Sequence, residues 1–567
     1  MEHNLMRRLF QSNFHSFYLL NATQFLGALN DNIFKLLVIY LLIAVRGHEY
    51  ANTALSLAGA IFVIPFLLFS SAAGVLADKL SKQSIIVFAK CLELLIMISS
   101  CLIIYYEWDT GLYVALFFLA THSTIFGPSK YGIIPEIVEQ KMISRANGSI
   151  TSFTYLAIIL GTFIASALTQ LTNKNFLVIA LFCTGMSVIG LCTSLGITRT
   201  APGRSPKKIN PLFPYEIYQT LKIAWKIPNL LPCIFGSSFF LFLGAFTQLN
   251  IIPFAMESLG TSEVGGGYLF LVTAIGIAIG AVFAGRVSKE SVEPGISCLV
   301  GFFIPIFLLL ISLLATSLPC VIILLVLMGM AGGAYLIPFD SYLQVNSPSE
   351  KRGQIIATSN FFSFIGVFMA AVYLYVVSGY FGFSAASGFL LLSVIALIVN
   401  CILTSRLSSL FFPFFAKNVL KRFRRIHLLS PLPQVPSIVV LQSNSWLDAI
   451  LLYTYFPNLH ILVPGRLLRT FPWVNGLVDS IRIIPRELTP KKEKELRHHI
   501  HKYHAKGHPV CLFMHREGDP NTVEMYEHTL KSFHVPYVFA RIRKEKHVKS
   551  FCGIQFHQKH INIQLGS

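Results

Sequence analysis

Twelve apolar windows fill the first 405 residues, and they limit what this chain can become more than any other feature. They run Tyr18–Val45, Leu55–Leu76, Ile85–Tyr106, Tyr113–Phe126, Ile150–Leu171, Phe176–Leu195, Leu230–Phe254, Tyr268–Ala284, Cys298–Leu314, Val321–Ile337, Ile355–Val377 and Ala385–Leu403. A helix needs about 20 residues to cross the hydrocarbon core. In lipid the backbone must satisfy its own polar groups, which favours helices over open strands. The windows therefore predict a polytopic all-α membrane region of 12 helices. Only 13% of the chain is charged, against about a quarter in ordinary soluble domains. A disordered chain would be polar, and a small disulfide scaffold would be shorter and richer in cysteine. Ten cysteines occur without a C-x-x-C pair. Those in apolar windows, such as Cys91, Cys183 and Cys401, read as buried, reduced thiols. The first window has the length of a full span and is expected to remain in the protein, not to be removed as a signal peptide.

The few charges are unevenly placed. The net charge is +19, from 45 Lys+Arg and 26 Asp+Glu. Residues 1–405 hold 21 and 16 of these; residues 406–567 hold 24 and 10, together with 13 of the 17 histidines. The expected organisation is a membrane domain over 1–405, an amphipathic linker over 406–430 and a soluble domain over 431–567. With the N-terminus placed in the cytoplasm, alternate connections carry seventeen basic residues against two, Arg46 and Lys174, on the opposite side. The positive-inside rule then puts both termini in the cytoplasm. The basic excess reads as charge facing membrane lipids, with no nucleic-acid partner. No G-x-x-x-x-G-K-[ST] loop is present, so nothing points to direct ATP drive.

The membrane region repeats itself. Gly74 to Lys82 reads G-V-L-A-D-K-L-S-K, and six windows later Ala284 to Lys289 reads A-G-R-V-S-K. The longest connection, about residues 198–229, separates the halves. This 6+6 plan with a basic central loop resembles the major facilitator superfamily. Gly74, Asp78, Lys79 and Lys82 resemble that family's loop signature G-x-x-x-D-[RK]-x-G-[RK]-[RK], with Ser81 in place of the second glycine and Gln83 in place of the last basic residue. The resemblance implies a gating motif. A small residue at Gly74 allows close helix approach, and Asp78 suits the positive end of a helix in the other half.

Charges inside the windows mark candidate pathway residues, because each is costly to insert. The first window holds Asn30, Asp31 and Lys35; the third holds Lys90 and Glu93. Asp31 with Lys35, and Lys90 with Glu93, have the spacing to pair along one helix; a polar cavity is the other reading. Two longer stretches narrow the choice. Gln24 to Asn32 reads Q-F-L-G-A-L-N-D-N. Phe126 to Glu136 reads F-G-P-S-K-Y-G-I-I-P-E, followed by R-A-N-G at Arg145 to Gly148. Together they resemble the bacterial lysophospholipid transporter family, which carries Q-F-x-x-A-x-x-D-N and P-x-K-Y-G-I. That resemblance implies Asp31 and Lys130 as pathway residues, an apt pair for a zwitterionic headgroup. It also leads one to expect a basic residue where Gln248 stands.

The tail begins with a run of aromatic and basic residues, 407–426, suited to an interfacial helix on an anionic leaflet. Val439 to Ala449, V-V-L-Q-S-N-S-W-L-D-A, then resembles the N-H-x-S-x-x-D block of glycerolipid acyltransferases. Ser445 and Asp448 match that block; Ser443 stands where the general-base histidine belongs. Of the family's F-P-E-G-T-R block, Glu517 and Gly518 match. The resemblance implies an α/β domain with a central sheet that has lost its base, since serine accepts a proton poorly near neutral pH. His498, His501, His504 and His508 lie on a basic amphipathic stretch without a carboxylate or cysteine to complete a zinc set. No metal and no cofactor is expected.

These observations together imply a transporter that moves lysophospholipid across the bacterial inner membrane for reacylation, by alternating access or a lateral opening. The tail would be a non-catalytic lipid-binding or docking module, with an acyltransferase or acyl-carrier protein as its partner. Two other readings stay open. One is a bifunctional transporter and acyltransferase; the other is a carrier of a different amphipathic solute.

Overall fold

A computed structural model describes residues 2–47, 51–203, 205–206, 213–288 and 292–421. Beyond these it describes 425–428, 438–442, 446–456, 459–464, 481–484, 498, 500–501, 503, 505, 507–514, 537–551 and 554–566. Among these residues, twelve helices are long and apolar enough to cross a membrane. They are His15–Arg46, Leu57–Lys79, Lys82–Tyr105, Asp109–Gly132, Gln140–Leu171, Phe176–Leu195, Leu230–Glu257, Gly265–Val287, Gly295–Leu313, Leu318–Asn346, Arg352–Tyr380 and Ala385–Arg406. We number these spans one to twelve. All twelve expected windows fall on them. One revision matters for the site: span four runs on through Pro128 to Gly132. Lys130 is therefore a residue of that helix and not of a loop.

Lipid gives no hydrophobic drive for one helix to join another, so close packing of small residues must do it. Spans eight and ten show the result. A Cβ on Gly276 would lie 2.4 Å from the Val326 carbonyl, and one on Gly333 would lie 2.2 Å from that of Ile277. Gly280 and Gly329 make equally close approaches. The paired G-x-x-x-G spacings, 276/280 and 329/333, thus bring the two backbones into direct contact. The first half is packed differently. Its core gathers Ile33, Phe34, Leu37 and Val38 of span one against Met97, Leu119 and Cys183.

The chain divides into two compact units, Met1–Ile398 and Val399–Ser567. In the second, the described strands form one sheet: β1 Arg425–Leu428, β2 Ile438–Gln442, β3 His460–Pro464, β4 Ile481–Ile484, β5 Val510–Met514, β6 Tyr537–Phe551 and β7 Ile554–Gly566. Their order is β1-β7-β6-β2-β5-β3-β4. Every described pairing is parallel except the β6–β7 hairpin. The central strands read as unbroken apolar runs, I-V-V-L-Q and V-C-L-F-M, as parallel strands covered on both faces do. Val439, Leu441, Ile450, Leu451 and Cys511 form the core. Burial pushes the Cys511 thiol up from its ordinary range, so it is an inert packing group. Ala416 is buried in the same core, with Phe412 and Phe415 packed against it. The apolar side of the 406–430 segment is thus at least partly used within its own unit.

Candidate functional site

Two of the four charges that the sequence places inside spans, Lys90 and Glu93, meet in a buried polar network in the first half. Glu93 lies at its centre, 1% exposed. It accepts from Lys90 Nζ at 2.5 Å through Oε2, and from Asn30 Nδ2 at 3.0 Å through Oε1. Asn30 also donates to Ser187 of span six at 2.9 Å, and Ser187 donates back to Glu93 at 3.3 Å. Three spans therefore share one carboxylate. Lys90 and Glu93 pair along span three at the i,i+3 spacing; Asp31 and Lys35 do otherwise. Asp31 Oδ2 accepts from Ser123 of span four at 2.8 Å, while Lys35 Nζ lies over the Phe62 ring, 5.8 Å from its centroid.

A second group lies where the halves meet. Lys130 Nζ donates to Gln24 Oε1 at 3.1 Å and lies 4.5 Å from the centre of the Tyr131 ring. Gln24 is fixed in turn by its amide, which donates to the Ile150 carbonyl at 3.0 Å and to Thr154 Oγ1 at 2.7 Å. Lys130 lies within electrostatic range of two carboxylates, Asp31 in the first half and Asp340 in the second. Asp340, on span ten, accepts from Ser237 Oγ of span seven at 2.8 Å. Asp340 was not among the residues singled out from the sequence. The signal available was an acidic residue three positions past the window Val321–Ile337, two after Pro338. Gln248 stands exposed on span seven, four residues beyond Gly244, which lines a small apolar pocket inside the second half with Phe240, Phe270 and Met328.

The residues of the loop motif lie on a seam between the halves. Asp78 Oδ1 accepts from the Gly353 N–H at 2.6 Å, and its Oδ2 accepts from the Gln354 N–H and the Gln354 side-chain amide, each at 3.0 Å. These are orphan donors at the N-terminus of span eleven, where a negative charge is most favoured. Gly74 makes this contact possible, because a Cβ there would come within 2.6 Å of Ala357 Cβ. Lys79 beside it is half-buried. Lys82 is 3% exposed and forms an ion pair with Glu136. Lys82 and Lys130, counted from the sequence among the loop cations, both lie within helices. On the other side of the same seam, Asn147 of span five exchanges amide hydrogen bonds with Gln344 of span ten at 3.0 and 2.8 Å. A Cβ on Gly148 would meet the Ala281 carbonyl of span eight at 2.5 Å.

A profile described as the Major Facilitator Superfamily matches residues 20–371, more than half of the chain. The chain belongs to that superfamily. Major facilitator proteins of known structure share its fold at low identity. The human organic anion transporter MFSD10 superposes with a TM-score of 0.58 at 14% identity, covering 69% of this chain and 99% of that one. The Escherichia coli fucose:proton symporter FucP gives 0.56 at 14%, covering 70% and 99%. Closer in sequence are proteins named lysophospholipid transporter LplT. Those of Escherichia coli O157:H7 and Shigella boydii serotype 18 are 27% identical over 343 residues, 60% of this chain and 83% of theirs.

The tail positions are only partly described. Asp448 is buried in the first turn of the helix Trp446–Leu452, directly after β2. Ser443, Ser445, Glu517 and Gly518 lie outside the described residues.

Proposed function

We propose that this major facilitator protein is a lysophospholipid transporter of a bacterial inner membrane, with both termini cytoplasmic. It would move lysolipid between leaflets for reacylation, either by alternating access or with the acyl chain passing through a lateral opening. One observation carries this reading: Lys130, held by Gln24, feels the charge of Asp31 in the first half and of Asp340 in the second. A zwitterionic headgroup presents a phosphate and an amine, and needs one group of each sign to receive it. Lys130 takes the phosphate and a carboxylate takes the amine, while the apolar tail needs no charged partner. The names of the relatives favour the same substrate class. Asp78, Gly74, Lys79 and Lys82 then act as the gate, holding the seam shut in one state of the cycle.

The tail, from about residue 406, is read as a membrane-facing linker followed by a degenerate acyltransferase-like domain that binds lipid or docks an acyltransferase. The strand-then-helix setting of Asp448 suits that reading, and Ser443 in the histidine's place argues against catalysis.

The test is flipping of labelled lysophosphatidylethanolamine by the purified full chain in liposomes. Lys130→Ala and Asp340→Asn should each lower the rate at least tenfold, and Asp31→Ala should lower it too. No flipping of any lysolipid would remove this function. Acyl transfer from an acyl donor, abolished by Asp448→Asn, would make the tail an enzyme.

A further inference from the structure

The connection between the two halves carries a helix of its own, Phe213–Lys226, which is not one of the twelve spans. Its 14 residues make about 21 Å of helix, too little to cross the hydrocarbon core. One face is spent on the bundle. Glu216, Ile217, Thr220 and Ala224 are buried, and the helix packs against span two of the first half and spans seven and eleven of the second. Phe213 adds a ring contact with Phe361 of span eleven, centroids 6.2 Å apart. The chain is fastened on either side of it. The Thr198 N–H donates to Ser16 Oγ at 3.1 Å, and the Tyr342 hydroxyl donates to the Pro228 carbonyl at 3.1 Å. The bundle therefore fixes which face of the helix turns outward.

That outward face holds Pro214, Tyr215, Tyr218, Lys222, Trp225 and Lys226, all exposed. At about 100° per residue they fill an arc of about 120°, opposite the buried residues. Tyr215 is 54% exposed, Tyr218 61% and Trp225 77%. The single acid of the helix, Glu216, is on the buried side. A face meant for bulk water has no use for three large aromatic rings, and one meant for lipid tails has no place for two lysines. The headgroup layer suits both. Tyr and Trp rings settle at that depth, and lysine lays its stem on the apolar boundary while its ammonium reaches the phosphates. Lys222 and Lys226 stand at i,i+4, where like charges repel, and a phosphate near both relieves them. Lys207 and Lys208 bring two more cations to the same connection.

We propose that the helix Phe213–Lys226 is an interfacial anchor. Tyr215, Tyr218 and Trp225 sit among the headgroups of an anionic leaflet, and Lys222 and Lys226 pair with lipid phosphates. Because this helix packs on both halves, the anchor grips the leaflet at the end of the bundle where Asp78 closes the seam.

The test needs no substrate, and bilayers of the same composition on both sides make it independent of orientation. Trp108, Trp446 and Trp473 are replaced by Phe in the full chain, which leaves Trp225 as the reporter. The protein is reconstituted in phosphatidylcholine liposomes whose acyl chains are brominated near the headgroup, with or without about 30% phosphatidylglycerol as the anionic lipid. Bromine should quench Trp225 at least twofold in the anionic liposomes, and aqueous iodide should quench it little. The bromine effect should fall when phosphatidylglycerol is left out, and Lys222→Gln/Lys226→Gln should remove that dependence. Quenching by iodide but not by bromine means that the face points to water, and protection from both means that protein covers it; either overturns the anchor. Bromine quenching that ignores phosphatidylglycerol, or depends on it equally in the double variant, overturns the pairing with phosphates. Should the three-Phe chain fold poorly, Trp225→Phe alone gives the same answer, as the share of bromine-quenched emission that it removes from the native chain.

Discussion

Glu93 shows what a buried charge demands of its neighbours. It has a lysine, an asparagine and a serine as donors and a histidine at ion-pair distance, so both of its oxygens are served. Removing one partner of a buried pair leaves the other uncompensated, at a cost of about 3–5 kcal/mol. Lys90→Met should therefore lower the melting temperature in a thiol-dye unfolding assay far more than the double variant Lys90→Met/Glu93→Gln does. Equal losses would mean that the pair is not coupled. At this scale the sequence was informative wherever charge stood in an apolar run, since the cost of inserting a charge marks the position by itself. It was silent on His122 and Ser123, which meet Glu93 and Asp31 of two other helices. It also ended span four too early, so that Lys130, named as a pathway residue, was counted among the loop cations as well. A lysine just past an apolar window looks like a loop cation until the helix is seen to continue beneath it. Pro128 hid that continuation, although a proline inside a membrane helix is tolerated when its surroundings satisfy the freed carbonyl.

Among the elements, the two halves solve the packing problem by different means. Spans eight and ten rely on glycine against backbone, and the consequence is steep. Gly280→Val would drive a side chain into the Met330 carbonyl, which lies 2.0 Å from the ideal Cβ position. That carbonyl cannot give way, because it is part of a helix backbone. The same change at Gly185 of span six meets nothing within 4 Å. Thermal unfolding should fall by several degrees for Gly280→Val and stay within about one degree for Gly185→Val; similar shifts would contradict the close packing of these spans. The helices were legible as windows because apolar length survives in a single sequence. Their partners were not, because a G-x-x-x-G spacing says that a helix can be approached and not by which neighbour. In the tail, the unbroken apolar runs of β2 and β5 mark strands covered on both faces. The order of the sheet could not be read, since parallel neighbours are distant in the chain.

The six-and-six plan of the whole membrane unit was legible through its repeated loop motif, and the repeat is informative where it breaks. Asp78 in the first copy corresponds to Gly285 in the second. Asp78 reaches into the backbone of span eleven, whereas Gly285 lets the start of span five come close, a Cβ there falling 2.9 Å from the Ser144 carbonyl. Asp78→Asn keeps an acceptor for one N–H and gives up the charge, so the seam should open more readily. Spin-label distances across spans two and eleven should then show a longer population in Asp78→Asn than in the native chain; unchanged distributions would mean that Asp78 does not hold the seam.

The two sides of that seam differ mechanically. A hydrogen bond is made or lost over a fraction of an ångström, so the Asp78 side behaves as a clasp. Contact between bare glycine backbones has no preferred partner atoms to lose, and two smooth helix surfaces can roll while staying in touch. The Gly148–Gly285 side adds the Asn147–Gln344 amide pair to its glycine contact, so it can stay in register while the Asp78 side lets go. A molecule that opens this way swings like a book from its spine, and the gap it makes is a wedge, widest beside spans two and eleven.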